Sequence, residues 1–212
     1  MPELSTLLLF AAASFALIVI PGPAVLYVVT RSLDQGRGAG FASVIGVSVG
    51  AYVHIIAAAV GLSAILSSSV VAFSIIKYAG AAYLVYLGIR KLASKPQLEP
   101  AQAVEPQPLH KIFLEGIVVN ILNPKTALFF LAFLPQFVNA DSGRVASQIL
   151  VLGTVFVLVA VVSDGAYALL ASTFGGWLKS NRSFLRVQHY LSGTIYLVLG
   201  LGAALSGSGR SK

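Results

Sequence analysis

Asp164 is a single carboxylate in an otherwise uncharged run, Val161-Val162-Ser163-Asp164-Gly165-Ala166-Tyr167, and Lys125 is an ammonium just past the helix-breaking pair Asn123-Pro124 in another apolar stretch. Opposite charges suspended in apolar sequence suit two kinds of chemistry: holding the two ends of a zwitterion, and passing a proton. An Asp near a bilayer centre costs about 2.5–3.5 kcal/mol to insert, so it must face a partner or a cavity. Its candidate roles are to bind a substrate ammonium, to carry a coupling proton, or to neutralise Lys125. The structural alternative is a fixed Asp–Lys pair that holds helices together.

Two breaks accompany these charges. Pro21 and Pro23 lack amide hydrogens, which leaves the carbonyls of Leu17 and Val19 without helical donors. Gly22, before a proline, is pushed away from helical angles. Local unwinding is the expectation, with carbonyl oxygens able to hold an ammonium or water; a kink used only for packing is the other reading. Asn123-Pro124-Lys125 reads as the start of a new half-helix, because Asn is a strong N-cap and Pro favours the first helical position. The free amides and positive end of that half-helix suit a carboxylate, and Lys125 adds a full charge. Asn120 lies one turn before the break. Lys125 could instead snorkel to an interface. His54, near the middle of another span, is a candidate proton relay or a structural histidine. Where irregular backbone interrupts two spans at matching places, a site near the midplane is expected.

The elements that must position these groups follow from composition. Of 212 residues 57% are hydrophobic and 10% charged, far from the balance of a soluble domain. A spanning helix needs about 20 apolar residues. Six stretches qualify: Leu4–Thr30, Ala39–Leu66, Val70–Leu92, Ile112–Val138, Ser147–Ser172 and Phe184–Ser206. The expected fold is therefore all-α, a polytopic membrane bundle of six transmembrane helices in a single transporter domain over residues 1–212. The first stretch lacks the basic start of a signal peptide and reads as a retained helix.

The proline-rich segment 93–111 reads as a linker between repeat 1 (about residues 4–92) and repeat 2 (about 112–207). Gly80-x-x-Tyr83-Leu84-Val85 in the third span resembles Gly193-x-x-Tyr196-Leu197-Val198 in the sixth. Three spans per half make the repeats inverted, with broken first and fourth helices. Arg31, Arg37, Arg90, Lys91, Lys95, Lys111, Lys179, Arg182 and Arg186 all fall on one set of loops. The positive-inside rule makes that set cytoplasmic and both termini periplasmic.

The same distribution makes the net charge of +7 a topology signal and argues against a nucleic-acid partner. With no cysteine and three histidines (His54, His110, His189), neither a resident metal nor any other cofactor is expected. No zinc-protease or Walker motif is present, and a lone carboxylate without a nucleophile argues against an enzyme. The expected partners are a small-molecule substrate and membrane lipid, and a homo-oligomer is compatible with the sequence. Gly46-Val47-Ser48-Val49-Gly50 should let two helices approach closely, within one bundle rather than across a dimer.

Taken in order, these residues make the chain resemble the LysE/RhtB family of bacterial amino-acid exporters. The resemblance rests on Pro21-Gly22-Pro23, Gln35-Gly36-Arg37, Gly40, Gly46 and Gly50, then Lys77, Gly80-Ala81-Ala82-Tyr83-Leu84 and Leu87-Gly88. It continues through Phe113, Gly116, Asn120, Asn123-Pro124-Lys125, Phe129-Phe130, Leu134-Pro135-Gln136-Phe137, Asp164 and Tyr167-Ala168. It implies export of neutral, homoserine/threonine-like amino acids across the inner membrane, coupled to the proton gradient. The alternatives are a divalent-metal or other small-solute exporter and, in another class, a membrane-embedded enzyme.

Overall fold

The computed structural model exposes many large apolar side chains and buries several charged and amide ones. Leu4, Leu8, Leu9, Val60, Leu122 and Val162 are exposed, whereas Arg31, Asn120, Asn123, Lys125, Gln148 and Asp164 are buried. That pattern suits a lipid surround, where polar groups must find partners inside the protein. The structure describes residues 2–68, 70–94, 106–139 and 144–180, with isolated helical positions between 190 and 204. Apart from those positions, the Phe184–Ser206 span lies outside the described residues, as do Tyr196 of the internal repeat and most of the linker.

The described elements are all helical. Helix α1 spans Leu4–Ile18 and α2 spans Pro23–Ser68, with a non-helical break at residues 19–22 between them. Pro21 and Pro23 account for that break, since neither can donate to the preceding turn. Within α2 only Gly36 departs from helical angles, at φ 80° and ψ −169°, so two limbs meet at a corner. That backbone region is essentially restricted to glycine. The loop expected between Thr30 and Ala39 is thus helix on both sides of one glycine. Helix α3 spans Val70–Ala93 and α4 spans Leu109–Ile121.

The fourth stretch breaks at Asn123-Pro124-Lys125, as its sequence grammar requires. Helix α5, Pro124–Leu128, makes one turn, then widens into a π turn over Phe129–Phe133 and a 3-10 turn over Leu134–Phe137. The half-helix is therefore shorter as a regular α-helix than expected. In the widened turn Phe129, Phe130 and Phe133 are all buried, and they join Phe10, Phe137 and Phe156 in a ring-on-ring cluster with centroids 5.0–5.9 Å apart. Helix α6 spans Val145–Ser180.

Two described helices, Pro23–Gly61 and Val145–Phe174, are long and apolar enough to cross a bilayer. A third span results if Leu109–Ile121 and Pro124–Phe137, bent by 45°, count as one. With only 15 residues, α1 is shorter than the roughly 20 that a full crossing needs. The fold shown is an all-α, polytopic membrane-helix bundle.

Most of the packing is α2 against α4 and α6. The first of these interfaces is backbone on backbone. A Cβ on Gly46 would collide with the Phe113 carbonyl, and one on Gly50 would stand 2.6 Å from the Ile117 carbonyl oxygen. Gly116 faces Ser43 and Val47 from the other side. The Gly46/Gly50 pair thus joins two helices of one chain, which places Asn120 against the α2 backbone.

Candidate functional site

Asn120, the penultimate residue of α4, holds the second break together. Its side-chain amide donates to the Val47 carbonyl at 2.6 Å. Its side-chain oxygen accepts from Thr126 Oγ1 at 2.9 Å and from Asn123 Nδ2 at 3.3 Å. Asn123 is the N-cap, its Oδ1 accepting the Lys125 backbone N–H at 3.1 Å, and Pro124 takes the first helical position. The amide expected to receive a carboxylate is therefore already bound by the cap. His54 Nε2 lies 2.9 Å from the Asn120 carbonyl oxygen. A carbonyl can only accept, so that nitrogen carries the proton. Asn123→Ala removes the cap bond, leaves the Lys125 amide without a partner and takes one of the two donors from Asn120 Oδ1. The expected cost is about 1–2 kcal/mol of stability, read as a lower Tm in detergent.

At the first break the two carbonyls that the prolines release, and that of Ile20, have each found a donor. Leu17 O accepts from the Ile20 amide at 3.2 Å, and Val19 O accepts from the Tyr167 hydroxyl at 2.7 Å. The Ile20 carbonyl accepts from Lys125 Nζ. Unwinding does expose carbonyls, as the prolines predict, but in this arrangement the ammonium that uses them is the protein's own. Gly22 makes room for it: a Cβ there would stand 3.0 Å from Lys125 Cδ.

Asp164 projects from α6 into the same place. It is 3% exposed, and its Oδ1 has no hydrogen-bond partner among the described residues. Gly22, Asn120, Asn123, Lys125, Thr126 and Asp164 line one cavity of about 30 Å³, walled on its apolar side by Leu17, Val47 and Phe156. That volume holds about two water molecules. No direct ion pair joins Lys125 to Asp164; among the described residues the ion pair is Arg31–Glu115.

Most of the sequence-predicted residues thus converge. Pro21 and Pro23 shape the first break through the backbone and Pro124 starts α5, while His54 stands behind the cavity wall at the Asn120 carbonyl. Sequence reasoning missed Thr126 and Ser48 as lining residues. Thr126 adjoins Lys125, and Ser48 sits between the two packing glycines, so both carried a positional signal.

A second polar layer closes the bundle beyond the cavity. Tyr27, Arg31 and Gln35 recur at i, i+4 and i+8 along the first limb of α2, which puts them on one face. The Tyr27 hydroxyl donates to the Ile112 carbonyl at 2.7 Å, and Arg31 Nη2 reaches Glu115 at 2.8 Å. Gln35 exchanges two bonds with the Gln107 backbone, at 2.8 and 3.0 Å. Glu115 is the counter-ion of a buried arginine. Glu115→Gln leaves the Arg31 guanidinium buried without its carboxylate, at an expected cost of about 1–3 kcal/mol. Replacing both partners by Met should recover most of that loss in a thermal melt.

Among the described residues no three His, Asp or Glu side chains gather as a bound metal ion would require. The family model for LysE type translocators matches residues 15–207. The homoserine/homoserine lactone efflux protein of Salmonella typhimurium is 31% identical over 191 residues, covering 90% of this chain and 92% of that protein. An uncharacterized membrane protein of Bacillus subtilis, YrhP, is 31% identical over 210 residues, covering 95% and 99%. A leucine efflux protein of Enterobacter is 26% identical over 189 residues, covering 89% and 90%. No solved structure matches the chain. A double-broken helical bundle with buried opposite charges, matched nearly end to end by one family model, places the chain in the LysE-type translocator family.

Proposed function

We propose that this protein exports small neutral amino acids, of the homoserine, threonine or leucine kind, across the bacterial inner membrane by proton-coupled alternating access. Membership of a translocator family makes it a carrier rather than a catalyst. The cargo class draws its support from the efflux relatives. The observation that carries the reading is Asp164: a buried carboxylate with an oxygen that no donor among the described residues reaches, facing Lys125 where two broken spans meet.

A zwitterion moving through a dry site needs both of its charges matched. Asp164 and the carbonyls around Pro21-Gly22-Pro23 take the ammonium. The Asn120-Asn123-Pro124-Lys125 break takes the carboxylate, through Lys125. Protonation of Asp164 from outside weakens the ammonium's hold and promotes release there. His54 acts on the same site through the Asn120 carbonyl, which its Nε2 reaches. The proposed frame is six spans in two inverted three-helix repeats, residues about 4–92 and 112–207, joined by a cytoplasmic linker, with both termini periplasmic.

Binding tests this reading before transport does. Purified protein in detergent should gain thermal stability from homoserine, threonine or leucine at millimolar concentration, and not from the matching N-acetyl amino acids. Stabilisation by divalent metal ions and by no amino acid would replace the reading with metal export.

A further inference from the structure

The Lys125 side chain sits where a substrate ammonium should. Its Nζ donates to the Ile20 carbonyl, an oxygen made available because the chain stops being helical at Pro21-Gly22-Pro23. It shares its cavity with the buried Asp164. A carbonyl oxygen that holds Lys125 Nζ and a carboxylate on the cavity that Lys125 lines make a cation seat, and the cation in it is covalently attached.

The remaining space, about 30 Å³, admits water but not an amino acid. Room for cargo must come from moving something out, and the flexible lysine stem is the lining group that can move without disturbing the backbone. Gly22 lets that stem cross the break, since a side chain there would press on Lys125 Cδ.

We propose that Lys125 is a tethered occupant of the ammonium seat. Cargo loads by displacing Lys125 Nζ from the Ile20 carbonyl with its own ammonium, and the freed lysine turns to the cargo's carboxylate. One residue thereby guards the seat against water and inorganic cations and then completes the zwitterion site. A bare amine gains the carbonyl but leaves the displaced lysine unpaired; a bare carboxylate cannot evict it. Selectivity for free α-amino acids follows from the exchange. The inference rests on the amino-acid exporter reading and deepens it.

Occupancy of the seat lowers apparent affinity in proportion to the fraction of time that the seat is free. Lys125→Ala empties the seat, and ethylammonium is the probe that should refill it. Ethylammonium chloride should raise the Tm of Lys125→Ala and not of the wild type, with potassium chloride and potassium acetate as ionic controls. In Lys125→Ala it should also compete with the amino acid that binds wild type, raising its apparent Kd at least about tenfold at saturation, against less than about twofold in wild type.

Stabilisation without competition would make Lys125 a structural strut and overturn the proposal; so would no response to ethylammonium. If Lys125→Ala does not fold, Gly22→Ala carries the test. Crowding the lysine out of its seat should tighten amino-acid binding about three- to tenfold, and unchanged or weaker binding would overturn the proposal. Failure of the exporter reading has its own signature: no amino acid binds wild type, whatever ethylammonium does to the variant.

Discussion

Asp164→Asn abolishes gradient-driven efflux while the protein remains folded and inserted. The substitution is nearly isosteric and removes a charge whose Oδ1 no described protein group reaches, so packing loses little. A desolvated carboxylate is costly in a membrane, about 2.5–3.5 kcal/mol at a helix centre, and removing that cost offsets the loss of a counter-charge for the buried Lys125. Coupling does fail, because the amide cannot take up and release a proton. Efflux of labelled amino acid under an imposed pH gradient should fall to that of protein-free vesicles, with an unchanged elution profile in detergent. Undiminished coupled efflux would remove Asp164 from the mechanism.

Gly50→Val disrupts the bundle. A Cβ at residue 50 would stand 2.6 Å from the Ile117 carbonyl oxygen and 2.9 Å from Asn120 Cβ. One obstacle is backbone and the other anchors the second break, so neither can move aside cheaply. Overpacking a tight contact costs about 1–3 kcal/mol, and a β-branched side chain against backbone sits at or above the top of that range. The measurement is the yield of monodisperse protein in detergent and its Tm, both expected to collapse. Gly61→Ala is the control: nothing among the described residues lies within 4 Å of a Cβ there, and alanine favours the helix by up to about 1 kcal/mol. Gly61→Ala should match or exceed wild-type stability.

The two outcomes test different kinds of knowledge. Both breaks were legible because Pro21, Pro23 and Pro124 act locally: a missing amide hydrogen interrupts a helix whatever surrounds it. Asp164 was legible because an isolated charge in lipid must have a reason. The Gly46/Gly50 contact was legible as small residues at helical spacing, though not which helix they would meet. The hydrogen-bond partners were not legible. Ile20 and Lys125 are 105 residues apart, Tyr167 and Val19 148, and Arg31 and Glu115 84, and nothing local couples them.

Two misreadings have simple physical causes. Residues 31–38 are polar and glycine-containing, which reads as a loop, yet one glycine at positive φ turns the corner and helix continues on both sides. The half-helix after Asn123 promised free amides, but its own cap uses the Lys125 amide, and the π turn that buries the phenylalanines cuts the regular helix short. The Lys125 side chain also goes elsewhere than its sequence position suggests. With the cap amide spent, its ammonium reaches across to the other break rather than outward to a ligand.

The most direct test of the account is efflux of preloaded labelled homoserine, threonine, leucine and lysine from proteoliposomes, with and without an imposed pH gradient, comparing wild type with Asp164→Asn. The account predicts gradient-stimulated efflux of the small neutral amino acids by wild type, little movement of lysine, and no stimulation in the variant. Folded, inserted wild-type protein that moves none of the four would contradict it.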